Sequence, residues 1–242
     1  MIGFWRNRLG LLAASCTAAL VLVAVAGCGS RDADTAVKIE RAPSDAEAPT
    51  APPDTRPRVV VLGDSLTAGL GLSPEQAYPT LLQQRLNDSG LRYQVVNAGV
   101  SGDTSAGGLR RLDWALEGDV RVLIVALGGN DALRGLPIEE LRRNLSEIVE
   151  RAQSRRVDVI LAGMEAPPNF GRDYTVGFHD VFPGLARKYR TALVPFLLEG
   201  VAGIDAMNQR DGIHPTAAGA RKVADNVWAA LKPLAEGRAD RP

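Results

Sequence analysis

The chain has 242 residues and balances 28 Lys and Arg against 28 Asp and Glu, giving a formal net charge of zero. A surface built to neutralise nucleic-acid phosphates carries a cationic excess, so the balance argues against that class of partner. Two cysteines (Cys16, Cys28) and two histidines (His179, His214) are too few for a disulfide-stapled scaffold, a cysteine zinc site or a histidine-rich metal centre.

Read from the start, Arg6 and Arg8 form a short positive region, and Leu9 to Ala26 is uncharged and rich in Leu, Ala and Val. A positive start, an apolar core and small terminal residues describe an export signal. The ending Val25-Ala26-Gly27-Cys28 resembles a bacterial lipobox, in which the signal is removed before a cysteine that is then lipidated. Residues 1–27 are therefore read as a lipoprotein signal peptide and Cys28 as the lipidation site; an uncleaved membrane anchor is the other reading. Either places the remaining chain in the bacterial cell envelope, periplasm-facing. Gly29, where an Asp would retain the protein at the inner membrane, points to the outer membrane. From Cys28 to Pro57 the chain is rich in Ala, Pro and acidic residues, with Val37 and Ile39 its only large aliphatics. Such a stretch buries too little apolar surface to offset its ordering entropy and reads as an extended, disordered spacer.

The domain expected over 58–236, followed by a tail at 237–242, alternates two patterns. Strands are expected at Arg58–Leu62, Tyr93–Asn97, Val120–Leu127 and Val157–Ala162, and more weakly at Ala192–Phe196, where Pro195 suits a strand end. Helical spacing runs from Ile138 to Ala152 behind Pro137 and from Ala220 to Leu231 behind Pro215, with shorter patterns at Leu81–Leu86 and Leu109–Leu116. Alternating strands and helices imply right-handed crossovers and a parallel sheet covered on both faces. Ligands of such sheets bind outside the carboxyl ends of the strands.

Polar residues gather at those ends. Gly63-Asp64-Ser65-Leu66 follows the first strand and sets a serine one tight turn beyond it; a plain capping turn is the alternative. Asn97-Ala98-Gly99-Val100-Ser101-Gly102-Asp103-Thr104 follows the second, and Gly128-Gly129-Asn130-Asp131 the third. Backbone N–H groups near glycine and a side-chain amide are the donors that stabilise an oxyanion. Near the C-terminus, Asp211-Gly212-Ile213-His214-Pro215 spaces a carboxylate and an imidazole so that a turn brings them together, the pairing of an oriented general base. His179 lies on an amphipathic stretch and is read as structural.

In combination these blocks resemble the SGNH (GDSL-type) hydrolases, and among them the bacterial thioesterase I, arylesterase and lysophospholipase group, over about Val59 to Leu234. The resemblance implies a three-layer α/β/α sandwich around a parallel five-stranded sheet, flavodoxin-like in class. It implies Ser65 as nucleophile, His214 as base and Asp211 as orienting acid, with an oxyanion hole made by the Ser65 N–H, the Gly102 N–H and the Asn130 amide. Gly102 is chosen over Gly99 because the family's glycine precedes Asp-Thr-Ser. The implied activity is hydrolysis of aryl, fatty-acyl, lysophospholipid or thioester acyl bonds through an acyl-enzyme, without metal or cofactor and without an obligatory protein partner. Segments 132–137 and 164–178 are expected to line the acyl site. Two rivals on the same sequence are a carbohydrate or cell-wall O-acetyl esterase and a non-catalytic envelope-binding lipoprotein.

Overall fold

The computed structural model describes residues 54–239. The segments expected to be a signal peptide and a spacer, with Cys28 between them, lie outside the described residues as far as Pro53. Five strands form the sheet: β1 (Arg58–Gly63), β2 (Gln94–Gly99), β3 (Val120–Ala126), β4 (Asp158–Ala162) and β5 (Ala192–Val194). Their order is β2-β1-β3-β4-β5, and all pairs are parallel. In β1, Val59 to Leu62 are all buried, as a strand covered on both faces requires.

Among the described residues eight α-helices connect and cover the strands: α1 (Ser65–Ala68), α2 (Tyr78–Asp88), α3 (Ser105–Arg110), α4 (Leu112–Ala115), α5 (Gly129–Leu133), α6 (Ile138–Ser154), α7 (Arg172–Tyr189) and α8 (Ala217–Ala239). Helices α2 and α8 pack together on one face of the sheet, while α3, α6 and α7 pack side by side on the other, which gives three layers. The expected helix behind Pro137 forms because Leu141, Leu145, Ile148, Val149 and Ala152 all turn to the core. Glu139 and Glu140 in its first turn and Arg151 in its last complement its dipole.

Differences from the sequence reading have local causes. The pattern at Leu109–Leu116 divides into α3 and α4, which break at Arg111. Helix α7 is much longer than its apolar spacing suggests, and it contains Pro183. A proline there removes a helical hydrogen bond. Burial of Phe178, Val181, Phe182 and Leu185 along one face offsets it, with Phe178 and Phe182 in edge contact at 5.7 Å between centroids. Strand β5 is short and ends at Val194, before Pro195. Helix α8 continues past 236 to Ala239, through the start of the expected tail.

With strand order 2-1-3-4-5, the direction in which successive strands are added reverses between β1 and β3. The crevice at their carboxyl ends is where doubly wound sheets bind ligands. Asp64 and Ser65 follow β1, and Asn130 follows β3.

Candidate active site

The turn from β1 into α1 is built around two glycines that leave no room for a side chain. A Cβ on Gly63 would lie 2.0 Å from Thr67 Oγ1, and one on Gly99 would lie 2.3 Å from the Ala68 nitrogen. The ends of β1 and β2 therefore press directly on the one-turn helix that begins with Ser65. Asn97 locks this arrangement: its Nδ2 donates to the Thr67 carbonyl at 2.9 Å, and its Oδ1 accepts the Gly99 N–H at 3.0 Å. The guanidinium of Arg111 draws the same strand ends together, donating to the Gly63 carbonyl (2.7 Å), the Ala98 carbonyl (2.6 Å) and Asp103 Oδ2 (2.6 Å).

Within this frame the widely separated serine and histidine meet. Ser65 Oγ lies 2.8 Å from His214 Nε2, and His214 Nδ1 lies 2.7 Å from Asp211 Oδ2. The other Asp211 oxygen accepts the backbone N–H groups of Ile213 (2.9 Å) and His214 (3.0 Å). These two bonds, followed by the imidazole contact, hold the Asp211 carboxyl down to about 2, so it is ionised at neutral pH. An ionised carboxylate only accepts, so Nδ1 carries the hydrogen of a neutral imidazole. Nε2 is then the acceptor, and the Ser65 hydroxyl donates to it. That is the tautomer a base needs in order to remove a serine proton.

Asn130 lies in the first turn of α5 behind Gly128, whose φ of 119° only glycine adopts without strain. Its Nδ2 donates to the Asp103 carbonyl at 2.9 Å and to Asp64 Oδ2 at 3.2 Å. Asp64 is 2% exposed, and its Oδ1 caps α1 by accepting the Leu66 N–H at 3.0 Å. Burial pushes its carboxyl up to about 6, against the opposing pull of the Leu66 N–H, His214 and Asn130. Asp131, also buried, accepts from the Ser105 N–H (2.8 Å) and hydroxyl (2.6 Å), and Asn144 donates to the same hydroxyl at 2.9 Å. This network ties α3, α5 and α6 together beneath the site.

Ser65, His214, Asn130 and Asp64 all line one cavity of about 410 Å³. Its other walls are mainly apolar, among them Leu133, Met164, Pro167, Phe196 and Ile213. Of the segments expected to line the acyl site, only Leu133 and residues 164–168 do so. Phe196, Leu198 and Ala202, from the chain after β5, complete the wall and were not foreseen. Gly102 takes a φ of 82° in the turn after β2, and its carbonyl accepts from Arg134 Nη2 at 2.7 Å; it is not part of the cavity wall. The Ser65 N–H is the first of α1 and has no intrahelical acceptor. His179 stands half exposed on α7, where its Nδ1 meets Glu165 Oε1 at 2.6 Å. It takes no part in the Ser65 cluster.

A doubly wound sheet whose carboxyl edge sets serine, histidine and aspartate in one hydrogen-bonded line is the architecture of a serine-type hydrolase. The profile of the GDSL-like lipase/acylhydrolase family matches residues 61–222. The chain is 47% identical over 177 residues to esterase TesA of Pseudomonas aeruginosa, covering 73% of this chain and 88% of that protein. It is 36% identical to thioesterase 1/protease 1/lysophospholipase L1 of Escherichia coli K12, covering 73% of this chain and 84% of that one. The crystal structure of AlinE4, an SGNH-hydrolase family esterase, superposes with a TM-score of 0.62 at 42% identity, over 74% of this chain and 96% of that one. The chain belongs to the GDSL-like lipase/acylhydrolase family. It is an enzyme of that family, a hydrolase of carboxylic esters.

Proposed function

We propose that the protein is a serine esterase of the cell envelope that cleaves fatty-acyl and other amphiphilic esters through an acyl-enzyme on Ser65. The observation that carries this reading is the unbroken line from Ser65 Oγ to His214 Nε2 and from His214 Nδ1 to Asp211, at 2.8 and 2.7 Å. His214 removes the Ser65 proton as Oγ attacks the ester carbonyl. The tetrahedral oxyanion is held by the Ser65 N–H, the Asn130 amide and the Gly102 N–H. Collapse expels the alcohol, which takes its proton from His214. Water, deprotonated by the same imidazole, then attacks the acyl carbonyl, releases the carboxylic acid and restores Ser65. Asp211 stabilises the imidazolium formed in both halves.

The substrate class follows from the walls and the address. A cavity of about 410 Å³ with apolar sides accommodates an acyl chain well beyond acetyl. The relatives' names include arylesterase of Vibrio mimicus and the lysophospholipase named above, which supports aryl esters and lysophospholipids as candidates. An exported lipoprotein meets amphiphilic esters at a lipid surface and little acyl-CoA, so thioester cleavage is assigned to its in vitro range.

A fluorophosphonate probe tests the chemistry. Ser65 in the wild type should be labelled, and Ser65→Ala should lose both labelling and turnover. Unchanged esterase activity in Ser65→Ala removes the assignment. Rates on p-nitrophenyl esters from two to about twelve carbons, a span set by the size of an acyl pocket, test the substrate class. The expected profile rises from acetyl to medium chains; activity confined to acetyl contradicts it.

A further inference from the structure

An amide nitrogen has two hydrogens to give. In Asn130 one goes to the Asp103 carbonyl at 2.9 Å and the other to Asp64 Oδ2 at 3.2 Å. An oxyanion bound by this amide has to take one of them over. The Asp103 acceptor is the shorter partner and belongs to the backbone of the turn after β2. The Asp64 acceptor is the longer one and belongs to a side chain on the same cavity wall as Ser65. Exchange at Asp64 therefore breaks the longer bond and leaves the turn intact.

We propose that Asp64 is a positioning residue for the oxyanion step: its Oδ2 holds the Asn130 amide turned into the cavity and releases that N–H to the substrate oxygen as charge develops there. This rests on the reading of Ser65 as nucleophile and Asn130 as oxyanion donor. Capping of α1 does not itself explain an aspartate here. Asn and Ser cap as well, and neither brings a charge into a site where burial raises the carboxyl to about 6. What the carboxylate adds is a second acceptor oxygen, fixed on Asn130 while the first is engaged by Leu66. Protonation at Oδ2 would set an O–H against the amide N–H, so the ionised form is the one that holds Asn130.

A double-mutant cycle on the full chain separates this role from a structural one. Asp64→Asn retains Oδ1 for Leu66 and turns an NH₂ toward Asn130. With p-nitrophenyl butyrate, it should lower kcat roughly tenfold and leave KM within about twofold, as loss of an interaction made only in the transition state does. Asn130→Ala should lower kcat by about 10²–10³. The double variant should be no slower than Asn130→Ala alone, because Asp64 acts through that amide. Asp64→Ser, which keeps a capping oxygen but withdraws the carboxylate from Asn130, should behave alike and serves where Asp64→Asn is poorly folded. Additive losses in the cycle, or wild-type kcat in both Asp64 variants, overturn the proposal. Fluorophosphonate labelling keeps it separate from its premise: an unlabelled Ser65 sinks the esterase mechanism, while a labelled Ser65 with an additive cycle sinks only the role of Asp64.

Discussion

Two aspartates of the site are driven in opposite directions, and the difference reads out as stability. Asp211 accepts two backbone N–H groups and an imidazole N–H, so its carboxyl stays near 2 and ionised across the neutral range. Asp64 is enclosed, and its carboxyl rises from 3.8 to about 6. Between those two values the folded protein holds a proton that the unfolded chain has released. Stability therefore falls as pH rises through that window, and the loss is complete above about 6. The displacement corresponds to about 3 kcal/mol at neutral pH. Asp64→Asn has no charge to bury. Its melting temperature should gain on the wild type as pH rises from about 4 to about 7, a window set by this linkage, with no further gain below it. Thermal melts of both proteins across that range measure the effect, and a constant difference in Tm would contradict it. A residue that lowers stability beside a nucleophile fits the general trade between stability and function.

At the scale of elements, the site depends on how β1 and β2 are held at their carboxyl ends. Arg111 joins them, with three acceptors fixed by one planar fork and its side chain 18% exposed. Lysine keeps the charge but presents it as a point and cannot span the three. Arg111→Lys should cost about 2 kcal/mol, the scale of a lost hydrogen bond to a charged group. The expected result in urea is a lower unfolding midpoint at unchanged slope, together with reduced kcat as the Ser65 turn loosens. An unchanged midpoint would show that the clamp is idle. None of this was read from the sequence. Arg111 was passed over because two of its three acceptors are backbone carbonyls, which leave no mark on residue type. Asp64 and Asn97 were seen within their motifs, but their partners, the Asn130 amide and the Thr67 carbonyl, depend on how three strand ends meet. The strands were legible because a buried parallel strand has to be apolar throughout, as Val59 to Leu62 are. The Ser65, Asp211 and His214 blocks were legible because their chemistry and spacing are explicit. Helix α7 was not, since Gly177, Pro183 and Gly184 interrupt a stripe that packing against α6, β4 and β5 sustains. The far wall of the cavity was missed for a related reason: Phe196, Leu198 and Ala202 follow a strand of three residues and carry no periodic signal.

For the whole molecule, the proposed lipid anchor raises the question of how a tethered enzyme would reach a lipid ester. Strand β1 begins at Arg58 while Ser65 follows its carboxyl end, so a tether leading into β1 would join the domain at the edge of the sheet opposite Ser65. At about 3.3 Å per residue, the strand sets them roughly 20 Å apart. The site therefore does not inherit its access to lipid from the attachment point. It would need a spacer long enough to let the domain turn, and residues 29–57 have a proline-rich composition suited to one. If Cys28 carries the lipid, Cys28→Ala should move the protein from the membrane fraction to the soluble fraction. Its kcat/KM on a soluble short-chain p-nitrophenyl ester should stay within about twofold, because no group of the site is touched, while its rate on lysophospholipid held in vesicles should fall about tenfold or more, on the scale by which tethering raises effective concentration. Fractionation with assays of both substrates checks the two halves separately. A Cys28→Ala protein that stays with the membrane would assign the attachment to an uncleaved apolar segment at 9–26. A soluble variant with undiminished vesicle turnover would show that the tether confines the enzyme without assisting its encounter with substrate.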